Sequence, residues 1–429
     1  MSERFDFIRG DATGLDIPAH PEALLSAGPD WLTTALHAFG TLAPDNHVTA
    51  LRAEHCPGGS TGKKLFLRLE TERPEPALAQ PLFAKFSRDF DDERRDWQRT
   101  EMAGEARFVA LSRQSAFPIR VPRGIFADYH EVSGTGLVIT ERVAYGEDGI
   151  ELHRRKCLDW QTMADPLPYY RATTSALARL AGAHKSGALG SEVEALFPLD
   201  PATGSADPFR YSPSELAEQL QQGRDFARDC PHLMPPEICD PSFLARLESD
   251  VALVVEHEAP LRQYLTSDPA MIALNHWNSH IDNAWFWREG GTVQCGLIDW
   301  GRVGQLTFGA ALWGGLSAAH LGVWDRHIDS LLAHFLGEYH SHGGPLVPLA
   351  DLKRHLAVHM AVMGTARMFS APEIIRFRMP AIHTASRPQD PMFLPVEADP
   401  ARNYLSCYTA LLKHWSREDF GARIRELVG

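Results

Sequence analysis

Two stretches of the sequence are most informative about the fold, HWNSHIDN at residues 276–283 and LIDW at residues 297–300. The first gathers two His, two Asn and one Asp within eight residues. The second is a short apolar strand candidate that carries Asp299 near its end. A polar cluster followed by a carboxylate on an apolar strand is typical of a site that binds a cation or moves protons.

HWNSHIDN allows three interpretations. His276 and His280 have the HxxxH spacing of a helical zinc site, but the hydrolase motif needs Glu where Trp277 stands. The segment is also typical of a structural loop, because His and Asn side chains satisfy buried backbone groups. In the third interpretation it follows the pattern HxDxxxxN, with Asn278 in place of Asp. Asn283 and Asp299 then offer oxygen ligands to Mg²⁺.

Upstream of these stretches the sequence predicts a small antiparallel sheet. Leu65, Leu67 and Leu69 alternate with polar neighbours, residues 136–143 form an almost unbroken apolar run, and Gly- and Pro-containing turns separate the first strand candidates. The candidates are residues 47–55, 64–70, 82–87, 121–130 and 136–143. A charged helix is predicted over residues 89–114, and residues 21–40 predict two short helices because Gly28-Pro29 interrupts them.

From about residue 160 onward, apolar residues recur at the three-and-four spacing of helices. The predicted helices cover residues 169–187, 212–229, 241–265, 309–320, 326–342, 350–369 and 400–415. A β-rich first third and a helical remainder indicate an α+β class with two lobes. We place their boundary after residue 143, which gives a sheet-containing lobe over residues 1–143 and a helical lobe over residues 144–429.

Two features of the predicted sheet could take part in binding. CPGGSTGKK at residues 56–64 is a Gly-rich turn between strands, but it is no P-loop, because Pro57 and Lys64 occupy positions that require Gly and Ser or Thr. Lys85 lies between apolar residues on a strand, so an inward orientation requires an acidic partner. Glu101 and Glu105, on one face of the next helix, are the candidates.

Composition excludes several classes of function. The chain has 429 residues and a formal charge of −13, which argues against nucleic-acid binding and against attraction to anionic membranes. Its six cysteines show no CxxC spacing, and its first residues lack the apolar core of a signal peptide. The most apolar stretch, residues 308–324, is shorter than a membrane span and predicts a buried helix. We therefore expect a cytoplasmic protein.

The chain resembles one family in an ordered set of features. They are the Gly-rich turn, Lys85, Glu105, LVITERV at residues 137–143, and HWNSHIDN with LIDW. The family is the aminoglycoside phosphotransferase-like branch of the protein-kinase-like fold, which includes choline kinases and ecdysteroid-kinase-like proteins. The resemblance covers about residues 45–320. It implies a bilobal fold with a small antiparallel N-lobe and a mainly helical C-lobe, which bind ATP with Mg²⁺ and a small-molecule acceptor.

The resemblance also implies roles for individual residues. Gly59 and Gly62 would cover the phosphates, Lys85 would hold the α- and β-phosphates, and Glu105 would orient Lys85. The backbone of the linker would meet the adenine, at Thr140, Glu141 and Val143. Asn283 and Asp299 would bind the metal, and His280 matches a His that is common in the family's loop.

Two departures from the family pattern bear on activity. Asn278 replaces the catalytic Asp, and an amide cannot act as a general base. Ala310 and Ala311 stand where the family usually has an Asp that braces the loop. We therefore keep two main hypotheses: a small-molecule O-phosphotransferase in which Asn278 orients the acceptor while His280 or Asp282 takes its proton, and a pseudokinase-like binding protein. A transferase with other nucleotide chemistry and a zinc hydrolase are further alternatives.

Overall fold

Alternating apolar residues in the first third of the chain form antiparallel strands. A computed structural model describes residues 4–56, 62–95, 100–200 and 206–429. The strands of this part are β1 (Phe7–Arg9), β2 (Asp16–Pro18), β3 (Val48–His55), β4 (Lys64–Thr71), β5 (Leu82–Phe86), β6 (Gly124–His130) and β7 (Thr135–Glu141). Strands β1 and β2 form a hairpin, and the others form a five-stranded sheet in the order β3-β4-β5-β7-β6, with every neighbouring pair antiparallel.

The two faces of the five-stranded sheet are covered by different helices. Helix α1 (Pro21–Ala38) packs on the face that carries Leu65, Leu67 and Leu82. Helix α2 (Thr100–Leu111) packs on the opposite face, where Met102 and Ala106 meet Ala127 and Val138. Because side chains alternate along a strand, the residues of β4 and β5 that point away from the α1 core share the face of α2.

One of these helices matches its prediction and the other is shorter than predicted. Helix α1 is interrupted as predicted, since Gly28 takes φ 65° and ψ −156° before Pro29. The helix predicted over residues 89–114 is too long, because residues 89–95 are not helical and α2 covers Thr100–Leu111. Asp92 accepts a hydrogen bond from the Arg94 backbone N–H at 2.8 Å. Such a local bond offers the backbone an alternative to the helix.

The remainder of the chain is mainly helical. Its helices are α3 (Asp159–Thr162), α4 (Leu167–Lys185), α5 (Val193–Leu196), α6 (Pro213–Asp229), α7 (Pro236–Cys239), α8 (Pro241–Glu256), α9 (Glu258–Ser267), α10 (Phe308–Leu316), α11 (Leu321–Ser341), α12 (Leu349–Met363), α13 (Ala371–Arg378), α14 (Asp399–Glu418) and α15 (Phe420–Val428). Its strands are β8 (Ile272–Asn275), β9 (Ala284–Glu289), β10 (Thr292–Leu297) and β11 (Gly304–Thr307), which form the pairs β8-β11 and β9-β10.

The helix predicted over residues 241–265 is two helices. Helix α8 ends at Glu256, and His257, with φ −111° and ψ 26°, leaves the helical conformation before α9 begins. Pro260 follows in the first turn of α9. Proline has no backbone N–H, so it cannot donate the hydrogen bond that would continue one helix across this point.

The chain divides into two compact units. The first comprises the residues up to Ile150 together with Gly296–Val303, and the second comprises Glu151–Cys295 with Gly304–Gly429. The predicted α+β class, with a small antiparallel sheet and a mainly helical remainder, is confirmed. The boundary after residue 143 stays a prediction, and the segment with Asp299 belongs to the sheet-containing unit. In the described residues, no helix has both the length and the apolar character needed to cross a membrane.

Candidate functional site

Lys85 is the centre of a buried ionic cluster in the first unit. Its Nζ lies 2.7 Å from Glu105 Oε2 and 2.8 Å from Asp299 Oδ1, and its side chain is 8% exposed. Burial lowers the pKa of Lys85, but the charges of Glu105 and Asp299 outweigh burial and leave that pKa raised. Of the two acids on α2 that the sequence offered, Glu105 is therefore the direct partner, and Lys85 carries its charge inside the unit.

Glu105 belongs to the buried side of this cluster. Burial raises the pKa of Glu105, and the charge of Lys85 offsets this effect only in part. Helix α2 places Glu105 beside Met102 and Ala106, which pack on the sheet. The apolar contacts of α2 therefore fix the position of the carboxylate that holds Lys85.

Asp299 follows β10 in an unusual backbone conformation. Its φ of 65° lies in the left-handed region, which costs a residue with a side chain on the order of 1–3 kcal/mol. The segment is held on α2 by Trp300, whose ring stacks on Phe108 with centroids 3.8 Å apart. The Asp299 side chain is 43% exposed. Its carboxylate thus contacts Lys85 while remaining accessible, and carboxylate oxygens are the ligands that Mg²⁺ prefers.

An aromatic pair lies beside Lys85 on the same face of the sheet. Phe66 of β4 is paired with Phe83 of β5, and their ring centroids are 6.2 Å apart. The Arg142 guanidinium lies over Phe66, 4.4 Å from the ring centroid. Thr140 is paired with Phe83 in the next strand. The half-buried Phe66 and Phe83 form an apolar shelf, and Arg142 covers the Phe66 ring.

The remaining predicted residues of the first unit have different positions. Gly59 lies outside the described residues, so its role stays a prediction. Gly62 has φ 43°, and a Cβ there would overlap the Phe86 carbonyl oxygen, so the end of the turn requires glycine. Glu141 is exposed and its N–H donates to the Arg123 carbonyl, whereas Val143 is half-buried.

The loop of residues 276–283 is braced by its own polar side chains. The buried His276 ring accepts a hydrogen bond from the Asn278 N–H at 2.9 Å. Asn283 Nδ2 donates to the Asn278 carbonyl at 2.8 Å. This bond leaves Asn283 Oδ1 as the oxygen of that side chain that suits a hard cation. The Asn278 side chain is half-buried, and both bonds use only its backbone.

His280 and Asp282 have constrained surroundings in this loop. Burial, with the nearby charge of Lys156, holds the pKa of His280 well below its usual value. Its Nε2 lies 3.4 Å from Ser317 Oγ. Asp282 Oδ2 forms an ion pair with Lys156 Nζ at 3.1 Å. Protonation of His280 is therefore opposed by burial, and the Asp282 carboxylate is engaged by Lys156.

Helix α10 supports the loop through close packing instead of a carboxylate. A Cβ at Gly314 would overlap the Trp277 carbonyl oxygen, and one at Gly315 would lie 2.8 Å from Ser279 Oγ. Ala310 and Ala311, which the sequence analysis identified as a missing brace, precede these glycines on the same helix. The Gly-Gly pair inside an apolar helix was the signal for this contact, and the sequence analysis did not use it.

Gly314→Ala is expected to destabilise the protein by about 1–3 kcal/mol, because the added methyl forces the loop and α10 apart. Gly337→Ala in α11 is the matched control, since a Cβ there would meet no atom within 4 Å. It should raise stability by about 0.5–1 kcal/mol, the usual gain of Ala over Gly in a helix. Urea unfolding compares the two variants. Equal effects would contradict the packing contact between α10 and the loop.

A helical zinc site does not fit the loop. Residues 276–280 are not helical, and the only regular turn in the loop is a 3₁₀ turn at Ile281–Asn283. In the part of the chain that the structure describes, no group of three or more His, Cys, Asp or Glu side chains could hold a metal ion.

No protein-family model and no curated protein matches this sequence. Several solved structures are similar. A choline/ethanolamine kinase family protein from Mesorhizobium loti is 14% identical, with TM-score 0.39 over 92% of this chain and 99% of that chain. A microcompartment-associated aminopropanol kinase is 13% identical, with TM-score 0.41 and the same two coverages, 92% and 99%. Plasmodium vivax ethanolamine kinase is 12% identical, with TM-score 0.42 over 91% and 90%.

Proposed function

We propose that the protein binds a nucleoside triphosphate with Mg²⁺ and transfers phosphate to a hydroxyl group of a small molecule. The observation that carries this proposal is Lys85, a charged lysine held between buried Glu105 and half-exposed Asp299. An ammonium fixed in this way is suited to bind phosphate oxygens. The adjacent carboxylate of Asp299 suits the cation that accompanies them.

The chain's own residues have distinct tasks in this proposal. Glu105 keeps Lys85 charged and in place, and the apolar shelf of Phe66 and Phe83 accepts the base of the nucleotide. Bound Mg²⁺ would neutralise charge on the phosphates. In the loop, Asn278 orients the acceptor hydroxyl by hydrogen bonding. Because phosphoryl transfer depends mainly on positioning and electrostatics, an amide at this position is compatible with slow turnover.

A pseudokinase-like binding protein is the second candidate, and one feature of the loop favours it. Asn278 is no base, His280 is buried with a lowered pKa, and Asp282 is paired with Lys156. If none of these groups takes the proton of the acceptor, nucleotide binding would persist without transfer. The two candidates therefore share the Lys85 cluster and differ in turnover.

Asn278→Asp is expected to raise phosphate transfer by about 10²–10⁴-fold, the usual contribution of a general base. The substitution leaves the loop's bracing unchanged, because Asn278 takes part in it only through its N–H and carbonyl. The measurement is ATP consumption, with a panel of hydroxylated small molecules, by wild type and by Asn278→Asp. If both proteins bind ATP and neither transfers phosphate, the result would favour the pseudokinase. Lower turnover by Asn278→Asp would contradict the assigned role of Asn278.

A further inference from the structure

Lys64 and Lys85 are directly opposite each other in neighbouring strands. Lys64 opens β4, and the antiparallel register pairs it with Lys85 of β5. Directly opposite residues point to the same face of a sheet, with Cβ atoms about 4.5–5.5 Å apart. Lys64 therefore extends over the face that carries the Lys85 cluster and the apolar shelf.

Lys64 and Lys85 concentrate positive charge on one face of the sheet. Like charges directly opposite in a sheet repel each other. Lys64 is also half-buried, and burial first, then the charge of Lys85, lowers its pKa. Glu105 and Asp299 offset these effects only in part. Two lysine side chains directly opposite each other on one face of the sheet suit an anionic ligand.

Lys63, the preceding residue, provides the contrast. Its Nζ lies 3.8 Å from Glu22 Oε1 of α1 and 3.6 Å from Asp89 Oδ1, and its side chain is 39% exposed. It thus extends toward the α1 side of the sheet. The two adjacent lysines face opposite directions, and only Lys64 is next to Lys85.

We propose that Lys64 is a second phosphate-binding residue, which together with Lys85 binds the phosphates of a nucleoside di- or triphosphate. Two ammonium groups on one face can contact two successive phosphates, whereas a nucleoside offers them none. This inference rests on the proposed function. It adds a specificity-determining residue that favours nucleotides with at least two phosphates.

Calorimetry in the presence of Mg²⁺ tests the inference. It measures the binding of ATP, ADP and adenosine to wild type, Lys64→Met and Lys63→Met. Lys64→Met should weaken ATP and ADP by about 10- to 100-fold, the range expected for one charged hydrogen bond, and leave adenosine unchanged. Lys63→Met should change ATP affinity less than about twofold, and Lys64→Arg should retain most of it. The unfolding midpoint of unliganded Lys64→Met should stay the same or rise.

The outcomes separate this inference from the proposed function. If wild type binds ATP and Lys64→Met binds it equally well, the role of Lys64 is wrong while the proposed function stands. Equal losses of ATP and adenosine affinity with a lower unfolding midpoint would identify a structural role and overturn the inference. If wild type binds no nucleotide, the proposed function and this inference both fall.

Discussion

Lys85→Met is expected to lower the free energy of unfolding by about 3–5 kcal/mol at pH 7, the usual cost of removing one partner of a buried ion pair. The loss arises because Glu105 remains buried without its cation. Asp299 adds little to this figure, since its side chain is 43% exposed. Chemical denaturation of the wild type and the variant measures the difference.

The pH dependence of the stability loss in Lys85→Met should identify Glu105 as the cause of that loss. Burial already raises the pKa of Glu105, and removal of Lys85 should raise it further. A carboxyl whose folded pKa lies above its unfolded value takes up a proton on folding, so it destabilises the protein as pH rises through that window. The loss in Lys85→Met should therefore be smaller at pH 5 than at pH 7.

A double variant, Lys85→Met with Glu105→Leu, provides the control for this prediction. It removes the uncompensated charge as well as the lysine, and apolar replacement of both partners is close to neutral. We expect it to recover most of the lost stability. Two results would contradict a buried Lys85–Glu105 pair. One is a Lys85→Met variant as stable as wild type at pH 7, and the other is a double variant less stable than the single variant.

Asp299→Asn is expected to weaken Mg²⁺-dependent ATP binding by about 100-fold, on the order of 2.7 kcal/mol. The amide can still accept a hydrogen bond from Lys85, but it lacks the negative charge that a cation ligand supplies. The measurement is ATP affinity with Mg²⁺ and with EDTA. The ratio of the two affinities should fall toward one in the variant.

Asp89→Asn is the matched control for Asp299→Asn. Asp89 is also 43% exposed and also lies near a lysine, with Oδ1 3.6 Å from Lys63 Nζ. It belongs to the first unit but not to the Lys85 cluster. Its replacement should leave the effect of Mg²⁺ on ATP affinity unchanged. An equal loss in both variants would show a general charge effect and remove Asp299 from the metal site.

Elements with a clear period were predictable from the sequence. The alternation of Leu65, Leu67 and Leu69 predicted β4, and its observed range is Lys64–Thr71. Ends and interruptions were harder, because local side-chain bonds decide them. The apolar spacing of residues 241–265 continues across Pro260, where the helix breaks, and the Asp92 bond to the Arg94 N–H lies in a charged segment ahead of α2.

The candidate site could be predicted only at residues whose own chemistry and neighbours require a particular kind of partner. A lysine among apolar residues needs an acid, which pointed to Lys85 and α2. Lys64 was missed because the sequence does not state which residue faces it across the hairpin. Lys156 was missed because its partner Asp282 lies far along the chain. Such pairs depend on strand register and long-range packing, which one sequence does not specify.

We propose that the Lys85 cluster binds the phosphates of a nucleotide together with a divalent cation. Titration of wild type with ATP, in Mg²⁺ and in EDTA, tests it most directly. We expect saturable binding at one site per chain, at least tenfold tighter with Mg²⁺, which corresponds to about 1.4 kcal/mol. No saturable binding at millimolar ATP, or an affinity indifferent to Mg²⁺, would contradict the claim.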